Sequence, residues 1–204
     1  MSLIEVGAAL ATLINVYLTA RNNIWCWIWG IASVLLYGYV FYMSRLYSSA
    51  GLQILFYLPM QFYGWWVWLR WGPTHHDDLP IARLKLIARV YWIGANLPIA
   101  IGLGFLMTYT GARLTYADAL VSAMSVTAQI LLTFKYIENW WLWIAVNSIY
   151  AFYLLPKQEL YASTGLYSVL LFMAIYGLVE WNRIMRKQQG PASESSSERS
   201  EATL

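Results

Sequence analysis

The sequence predicts an all-α integral membrane protein with seven transmembrane helices, and three observations lead to this fold class. Of the 204 residues, 60% are hydrophobic and only 11% are charged, whereas about 25% are charged in an ordinary soluble domain. The mean hydropathy is +0.50. Apolar stretches of about 20 residues, the length that crosses a bilayer, follow one another along the chain. This pattern excludes a disordered chain, a secreted disulfide scaffold and a typical cytosolic enzyme.

The apolar stretches are separated by short interruptions that carry most of the charge. The first stretch lacks a basic n-region and a small-residue cleavage site, so we do not expect a cleaved signal peptide. The chain turns polar after Arg186, and we expect disorder in this Ser- and Glu-rich tail. The predicted spans are 3–20, 24–43, 48–69, 84–107, 117–134, 139–155 and 162–181.

The basic residues are distributed unequally between the two faces of the membrane. Seven spans place the termini on opposite sides, with ten lysines and arginines on the C-terminal side. The N-terminal side has three, Arg45, Arg113 and Lys157. The positive-inside rule then predicts an outside N-terminus and a cytoplasmic C-terminus.

An internal repeat relates the first three spans to the last three. The word Leu46-Tyr-Ser-Ser-Ala-Gly-Leu52 recurs 114 residues later as Leu160-Tyr-Ala-Ser-Thr-Gly-Leu166. At this spacing or one residue less, the matches include Trp27 with Trp141, Trp29 with Trp143, Asn15 with Gln129, and Tyr63-Gly64 with Tyr176-Gly177. Because one linking span returns the chain to its starting face, we predict a 3+1+3 parallel repeat about an axis along the membrane normal. The predicted organisation is a first repeat at 3–70, a cytoplasmic loop and linker helix at 71–115, a second repeat at 116–183, and a tail at 187–204.

Several spans contain amide side chains and aromatic rings on one helical face. A polar side chain in lipid is costly, so it either binds a neighbouring helix or faces an aqueous cavity. Amides donate and accept hydrogen bonds, and indole rings offer π faces to flat or cationic rings. A cavity with both would suit a small heteroaromatic molecule that carries hydroxyl groups. The residues concerned are Gln53 and Gln61 in span 3, Asn96 in span 4, Gln129 in span 5, and Trp140, Trp143, Asn147 and Tyr150 in span 6.

Motifs for catalysis or energy coupling are missing from the sequence. It has no G-x-x-x-x-G-K-[ST] phosphate loop, no plausible catalytic Ser/His/Asp or Cys/His order, and no acidic or histidine relay within a span. The run from His75 to Asp78 is interpreted as a solvated turn. We therefore expect no metal, no cofactor, no nucleic-acid partner and no enzymatic activity. A membrane scaffold or sensor and an intramembrane enzyme remain as alternatives.

Three segments resemble the Pnu-type vitamin transporters, which include carriers of nicotinamide riboside, thiamine and riboflavin. The segments are Tyr17-Leu-Thr-Ala-Arg-Asn-Asn-Ile-Trp-Cys-Trp27, Tyr63-Gly-Trp65 and Lys135-Tyr-Ile-Glu-Asn-Trp-Trp-Leu-Trp143. The resemblance, which extends over about residues 3–185, implies facilitated diffusion in a bacterial inner membrane, trapping of the substrate by a separate kinase, and a homotrimer. Carried over to this sequence, it implies substrate contacts from Gln53, Asn96, Trp140, Trp143, Asn147 and Tyr150, to which the helical stripes add Gln61 and Gln129.

The identity of the vitamin depends on two short segments. In the nicotinamide riboside branch, an asparagine often follows the second-span glycine and another precedes Y-G-W. This chain has Ala32-Ser33 and Gln61-Phe62 at those places. The aromatic-rich surroundings suit the flat thiazolium and aminopyrimidine rings of thiamine. We therefore expect thiamine, with nicotinamide riboside as the alternative.

Overall fold

The computed structural model describes residues 3–43, 47–70, 79–108, 115–154 and 161–201. Within them the chain forms seven helical rods, and the expected all-helical class is confirmed. We number the rods α1 to α7. They are α1 (Leu3–Ala20), α2 (Cys26–Met43), α3 (Tyr47–Leu52, then the π-helical Gln53–Tyr57, then Leu58–Arg70), α4 (Leu86–Thr108), α5 (Thr115–Thr133), α6 (Glu138–Ile149 with the π-helical Tyr150–Leu154) and α7 (Tyr161–Glu201).

Six of the seven rods begin and end within two residues of the predicted spans. The seventh differs, because α7 continues to Glu201 and so includes the stretch 187–201 for which disorder was expected. Extending an existing helix requires only local hydrogen bonds and no new nucleus, so the backbone can stay helical without an apolar face. The residues Leu46, Leu160 and His75 to Asp78, used in the sequence analysis, lie outside the described ranges.

Apolar side chains cover the outside of the bundle. Leu3–Ala20, Cys26–Met43 and Thr164–Gln188 are each long and apolar enough to cross a bilayer, and two shorter apolar stretches lie in α4 and α5. On α4, Ile87 and Ile93 are each more than two-thirds exposed. Water-soluble proteins rarely expose apolar surface on this scale, so this surface is suited to lipid.

Six of the rods form a closed ring, in the order α1, α2, α3, α5, α6, α7 and back to α1. The first unit, α1 to α3, meets the second unit, α5 to α7, at two places. These are the contact of α3 with α5 and the contact of α7 with α1. The linker α4 lies outside the ring and packs against α5. The interior of the ring is thus bounded by both units and excludes α4.

The turn between α1 and α2 has the same geometry as the turn between α5 and α6. Asn22 and Lys135 both adopt left-handed backbone conformations, with φ of 52° and 54°. In both turns the third amide after the helix, that of Asn23 or Tyr136, donates to the carbonyl oxygen five residues back at 2.9 Å. The two turns are 113 residues apart, so Trp27 corresponds to Trp140 and not, as the sequence alignment had it, to Trp141.

A pair of glycines allows two of the tryptophans to pack closely. A Cβ atom on Gly64 would collide with the Trp27 ring, and one on Gly177 would collide with the Trp140 ring. Both rings are at most 2% exposed. With Trp68 and Trp181 they form a group that we call the tryptophan cluster, which also contacts Cys26. This cluster is the main core of the protein and fills the end of the ring next to the two matching turns.

Candidate functional site

Glutamines from both units lie at one level of the ring. Tyr57 on α3 contacts Ser125 on α5. One helical turn further along, α3 carries Gln61 and α5 carries Gln129, on the same faces as this contact. Gln61 is 7% exposed and Gln129 is 4% exposed. The parallel course of α3 and α5 thus brings one buried amide of each unit to the same height.

The two glutamines each leave a buried polar atom unpaired among the described residues. Gln61 Oε1 has no donor, and Gln129 Nε2 has no acceptor. An unsatisfied buried group costs about 1–3 kcal/mol, and proteins rarely leave one without a reason. One atom is an acceptor and the other is a donor. A ligand with one donor and one acceptor would satisfy both.

Gly30 on α2 makes room for the Gln61 side chain. A Cβ atom at Gly30 would collide with Gln61 Oε1 and would lie 2.8 Å from Asn15 Nδ2. The Asn15 amide in turn donates to the Cys26 carbonyl oxygen at 2.6 Å. Nearby, the hydroxyls of Thr12 and Ser33 are hydrogen-bonded at 2.6 Å. The first unit therefore contributes several amides and hydroxyls to the ring interior.

The second unit contributes residues of α6. Asn147 is 6% exposed. Trp143 and Tyr150 pack against the small apolar group of Val121 and Val146. The Tyr150 ring also lies 4.5 Å from the Tyr167 ring on α7, centroid to centroid. These three predicted site residues therefore lie where α5, α6 and α7 meet.

Asn96 lies outside the ring, in contrast to the prediction. Its Nδ2 donates to the Trp92 carbonyl oxygen at 2.6 Å, and its Oδ1 accepts from the Thr127 hydroxyl at 3.0 Å. Thr127 points from the face of α5 opposite to Ser125 and Gln129, since two residues correspond to about 200° around a helix. The Asn96 amide is therefore satisfied and joins α4 to α5.

Two other predicted residues also lie away from the glutamine pair. Trp140 belongs to the tryptophan cluster, where its ring is pressed against Gly177. Gln53 begins the π-helical segment of α3, and its Cβ lies beside Gly38 of α2.

Asn15 and Tyr57 are two of the interior residues that were not among the predicted site residues. The repeat pairs Asn15 with Gln129, and this pairing was the available signal for Asn15. Tyr57 lies four residues before Gln61 and shares its helix face, which was the signal for the tyrosine.

A cleft of about 310 Å³ opens outside the ring, between α4 and the second unit. At its mouth Arg89 Nε lies 2.9 Å from Glu138 Oε1, as an ion pair without the alignment of a hydrogen bond. Arg83 Nη2 donates to Asn182 Oδ1 at 2.6 Å. Because these groups pair with one another, the cleft is a less suitable substrate site than the glutamine pair. Within the described residues, no group of three His, Cys, Asp or Glu side chains could hold a metal ion.

Comparison with known proteins places the chain in a family. The model of the nicotinamide mononucleotide transporter family matches residues 2–183. The nicotinamide riboside transporter PnuC of Escherichia coli is 28% identical, over 92% of this chain and 88% of the relative. That of Neisseria mucosa is 27% identical, over 90% and 73%. The crystal structure of the vitamin B3 transporter PnuC superposes with a TM-score of 0.74 at 24% identity, over 90% of this chain and 82% of that one.

These matches extend over the whole ring and the linker helix. The superposition supports the fold, and the family model confirms the resemblance to Pnu-type vitamin transporters. The family consists of membrane transporters and not enzymes, which decides between the functional classes left open by the sequence. The chain belongs to the nicotinamide mononucleotide transporter family.

Proposed function

We propose that this chain carries nicotinamide riboside across the membrane. The observation that carries the proposal is that relatives matching nearly the whole chain are named nicotinamide riboside transporters. They include the Escherichia coli and Neisseria mucosa proteins and that of Haemophilus influenzae, which is 25% identical over 88% of this chain. The similarity therefore involves both units that bound the ring and is not limited to one motif.

This proposal replaces thiamine, which the sequence analysis had favoured. That preference depended on the absence of asparagine at Ala32-Ser33 and before Y-G-W. The amide of Gln61 offers the same donor and acceptor groups as asparagine on a side chain one methylene longer. Its Oε1 is buried beside Gly30 and has no hydrogen-bond donor among the described residues. The missing asparagine before Y-G-W therefore does not argue against a nicotinamide substrate.

The two unpaired amide atoms suggest how the substrate is held. The carboxamide of nicotinamide has an NH2 donor and a carbonyl acceptor, which complement Gln61 Oε1 and Gln129 Nε2. Trp143 and Tyr150 would pack against the cationic pyridinium ring. The Asn147 amide would then bind the ribose hydroxyls. In this arrangement Trp140, Asn96 and Gln53 support the site and do not contact the substrate.

The proposed transport is facilitated diffusion. The polar groups at the centre of the ring are amides and hydroxyls such as Gln61, Gln129 and Ser125, which do not change charge near neutral pH. A separate kinase would then trap the substrate by adding a phosphate whose charge prevents its return. We further propose an outside N-terminus, a cytoplasmic C-terminus, and the homotrimer implied by the resemblance.

A ligand titration tests the substrate assignment. Purified protein in detergent is titrated with nicotinamide riboside, thiamine and riboflavin, and binding is followed by calorimetry and by tryptophan fluorescence. We expect nicotinamide riboside to bind at least about tenfold more tightly than either of the others, a difference of about 1.4 kcal/mol. Tighter binding of thiamine would restore the interpretation that the proposal replaces.

A further inference from the structure

Two indole-to-carbonyl hydrogen bonds join the two three-helix units at one end of the ring. Trp68 Nε1 donates to the Thr133 carbonyl oxygen at 3.1 Å, and Trp181 Nε1 donates to the Thr19 carbonyl oxygen at 3.0 Å. Each tryptophan lies on the last helix of one unit, and each carbonyl lies in the last turn of the first helix of the other unit. Each unit therefore donates one indole hydrogen bond to the other unit and accepts one from it.

Other contacts between the units also lie at corresponding positions of the two interfaces. Tyr63 on α3 packs edge-to-face against Phe134, with ring centroids 6.3 Å apart. At the corresponding positions of the other interface, Arg21 is hydrogen-bonded to the Tyr176 hydroxyl, and this contact raises the pKa of the Arg21 guanidinium. The Lys135 ammonium lies 4.5 Å above the Trp68 ring. Both interfaces are thus fastened at the same height.

The tryptophan cluster blocks this end of the ring. Trp27 meets Trp68 at 5.3 Å and 86°, and Trp140 meets Trp181 at 5.6 Å and 88°. Trp68 and Trp181 face each other between the units, with centroids 6.5 Å apart. All four rings are at most 2% exposed. A molecule held between Gln61 and Gln129 has no path past rings packed at this density.

We propose that the tryptophan cluster is the cytoplasmic gate of the transporter and that the two indole-to-carbonyl bonds are its latches. The gate opens when the units separate at this end, which breaks both bonds. The inference rests on the proposed transport function. The assignment to the cytoplasmic side rests on the basic residues near the cluster, which include Arg21, Arg70 and Lys135.

The single cysteine of the chain provides a reporter of gate opening. Cys26 begins α2, is 2% exposed and packs within the tryptophan cluster. A maleimide can reach its thiol only when the cluster separates. The rate of thiol labelling under conditions of fast closing is therefore proportional to the population of the open gate.

The test compares labelling of Cys26 in the parent and in Trp68→Phe and Trp181→Phe. Phenylalanine keeps an aromatic ring but cannot donate the hydrogen bond. Losing one such bond should raise the open population about two- to twelvefold, and the double variant should label faster than either single one. Trp66→Phe is the matched control, because Trp66 lies on the same helix with its side chain half exposed. It should label at the parental rate.

A second thiol distinguishes gate opening from general loosening. Ala8→Cys in a Cys26→Ser background introduces a thiol at a fully buried position of α1, distant from the tryptophan cluster. Latch variants should leave its labelling rate unchanged. Equal acceleration at both positions, or no acceleration at Cys26, overturns the proposal. Labelling needs no substrate, so its outcome does not depend on whether nicotinamide riboside binds.

Discussion

Single residues determine how closely the helices of this protein approach one another. Gly64 and Gly177 occupy corresponding positions in α3 and α7, and each faces the flat ring of a buried tryptophan. A rigid ring that packs against bare backbone cannot move aside for an added methyl group. The absence of a side chain at these two positions is therefore part of the core packing.

We expect Gly64→Ala to destabilise the protein by about 1–3 kcal/mol, the usual cost of overpacking a core. Gly94→Ala on α4 is the control, since no atom lies within 4 Å of its added Cβ. The control should be neutral or stabilising by up to about 1 kcal/mol, because alanine favours helix over glycine. Thermal unfolding in detergent measures both. Equal unfolding temperatures for Gly64→Ala and the parent would show that the contact between Gly64 and the Trp27 ring is not tight.

Gln61→Leu should weaken nicotinamide riboside binding while leaving the fold at least as stable. Removing one hydrogen bond to the ligand should raise its dissociation constant about two- to twelvefold. The variant also removes a buried unpaired oxygen, so its unfolding temperature should be equal or higher. Gln53→Leu makes the same chemical change beside Gly38 and should bind like the parent. If Gln53→Leu loses affinity and Gln61→Leu does not, the site lies nearer the π-helical segment.

At the scale of elements, the lengths of the apolar stretches predicted where the helices lie. The helical spacing of polar residues could not predict which helices pack against one another. The predicted span boundaries agree with the helix ends in six of the seven rods, because each run of apolar residues ends where charged or polar residues begin. A helical stripe identifies which residues share a face without identifying the facing helix. Asn96 illustrates this limit, since the sequence gives no indication that α4 packs outside the ring and bonds Thr127.

The position of a residue along the helix also mattered for the candidate site. Trp140 and Asn147 share a face of α6, as their spacing of seven predicted. Seven residues span about 10 Å of helix, so Trp140 reaches the tryptophan cluster while Asn147 lies further along the ring. The two matching turns lie 113 residues apart, whereas the sequence paired Trp27 with Trp141 at a spacing of 114, because Trp140 and Trp141 are adjacent and identical.

Glu138 at the start of α6 should hold the segment before α4 in place. Its carboxylate accepts from the Leu84 amide at 3.2 Å and pairs with Arg89 at 2.9 Å. We expect Glu138→Gln to lower stability by up to about 1 kcal/mol, and the loss to shrink at high salt. Glu180→Gln is the control, because it removes a local pair with the neighbouring Arg183, worth about 0.2–0.5 kcal/mol, and an attraction to the exposed Arg21, neither of which holds the segment before α4. Unfolding temperatures at low and high salt compare the two variants, and equal losses would contradict a tethering role for Glu138.

For the whole molecule, the uneven distribution of basic residues predicts the orientation. A Ser2→Cys variant in a Cys26→Ser background carries its thiol at the N-terminus. An impermeant maleimide added to intact cells should label it, since the N-terminus is expected outside. Labelling only after the membrane is opened would reverse the orientation and would place the tryptophan cluster at the outer face.

The central claim is that the ring carries nicotinamide riboside down its gradient, and uptake into proteoliposomes tests it most directly. Labelled nicotinamide riboside should enter until the internal and external concentrations are equal, with the same course when a protonophore is present. Excess unlabelled nicotinamide riboside should compete strongly, and thiamine weakly. Accumulation above the external concentration, or uptake of thiamine with none of nicotinamide riboside, would contradict the account.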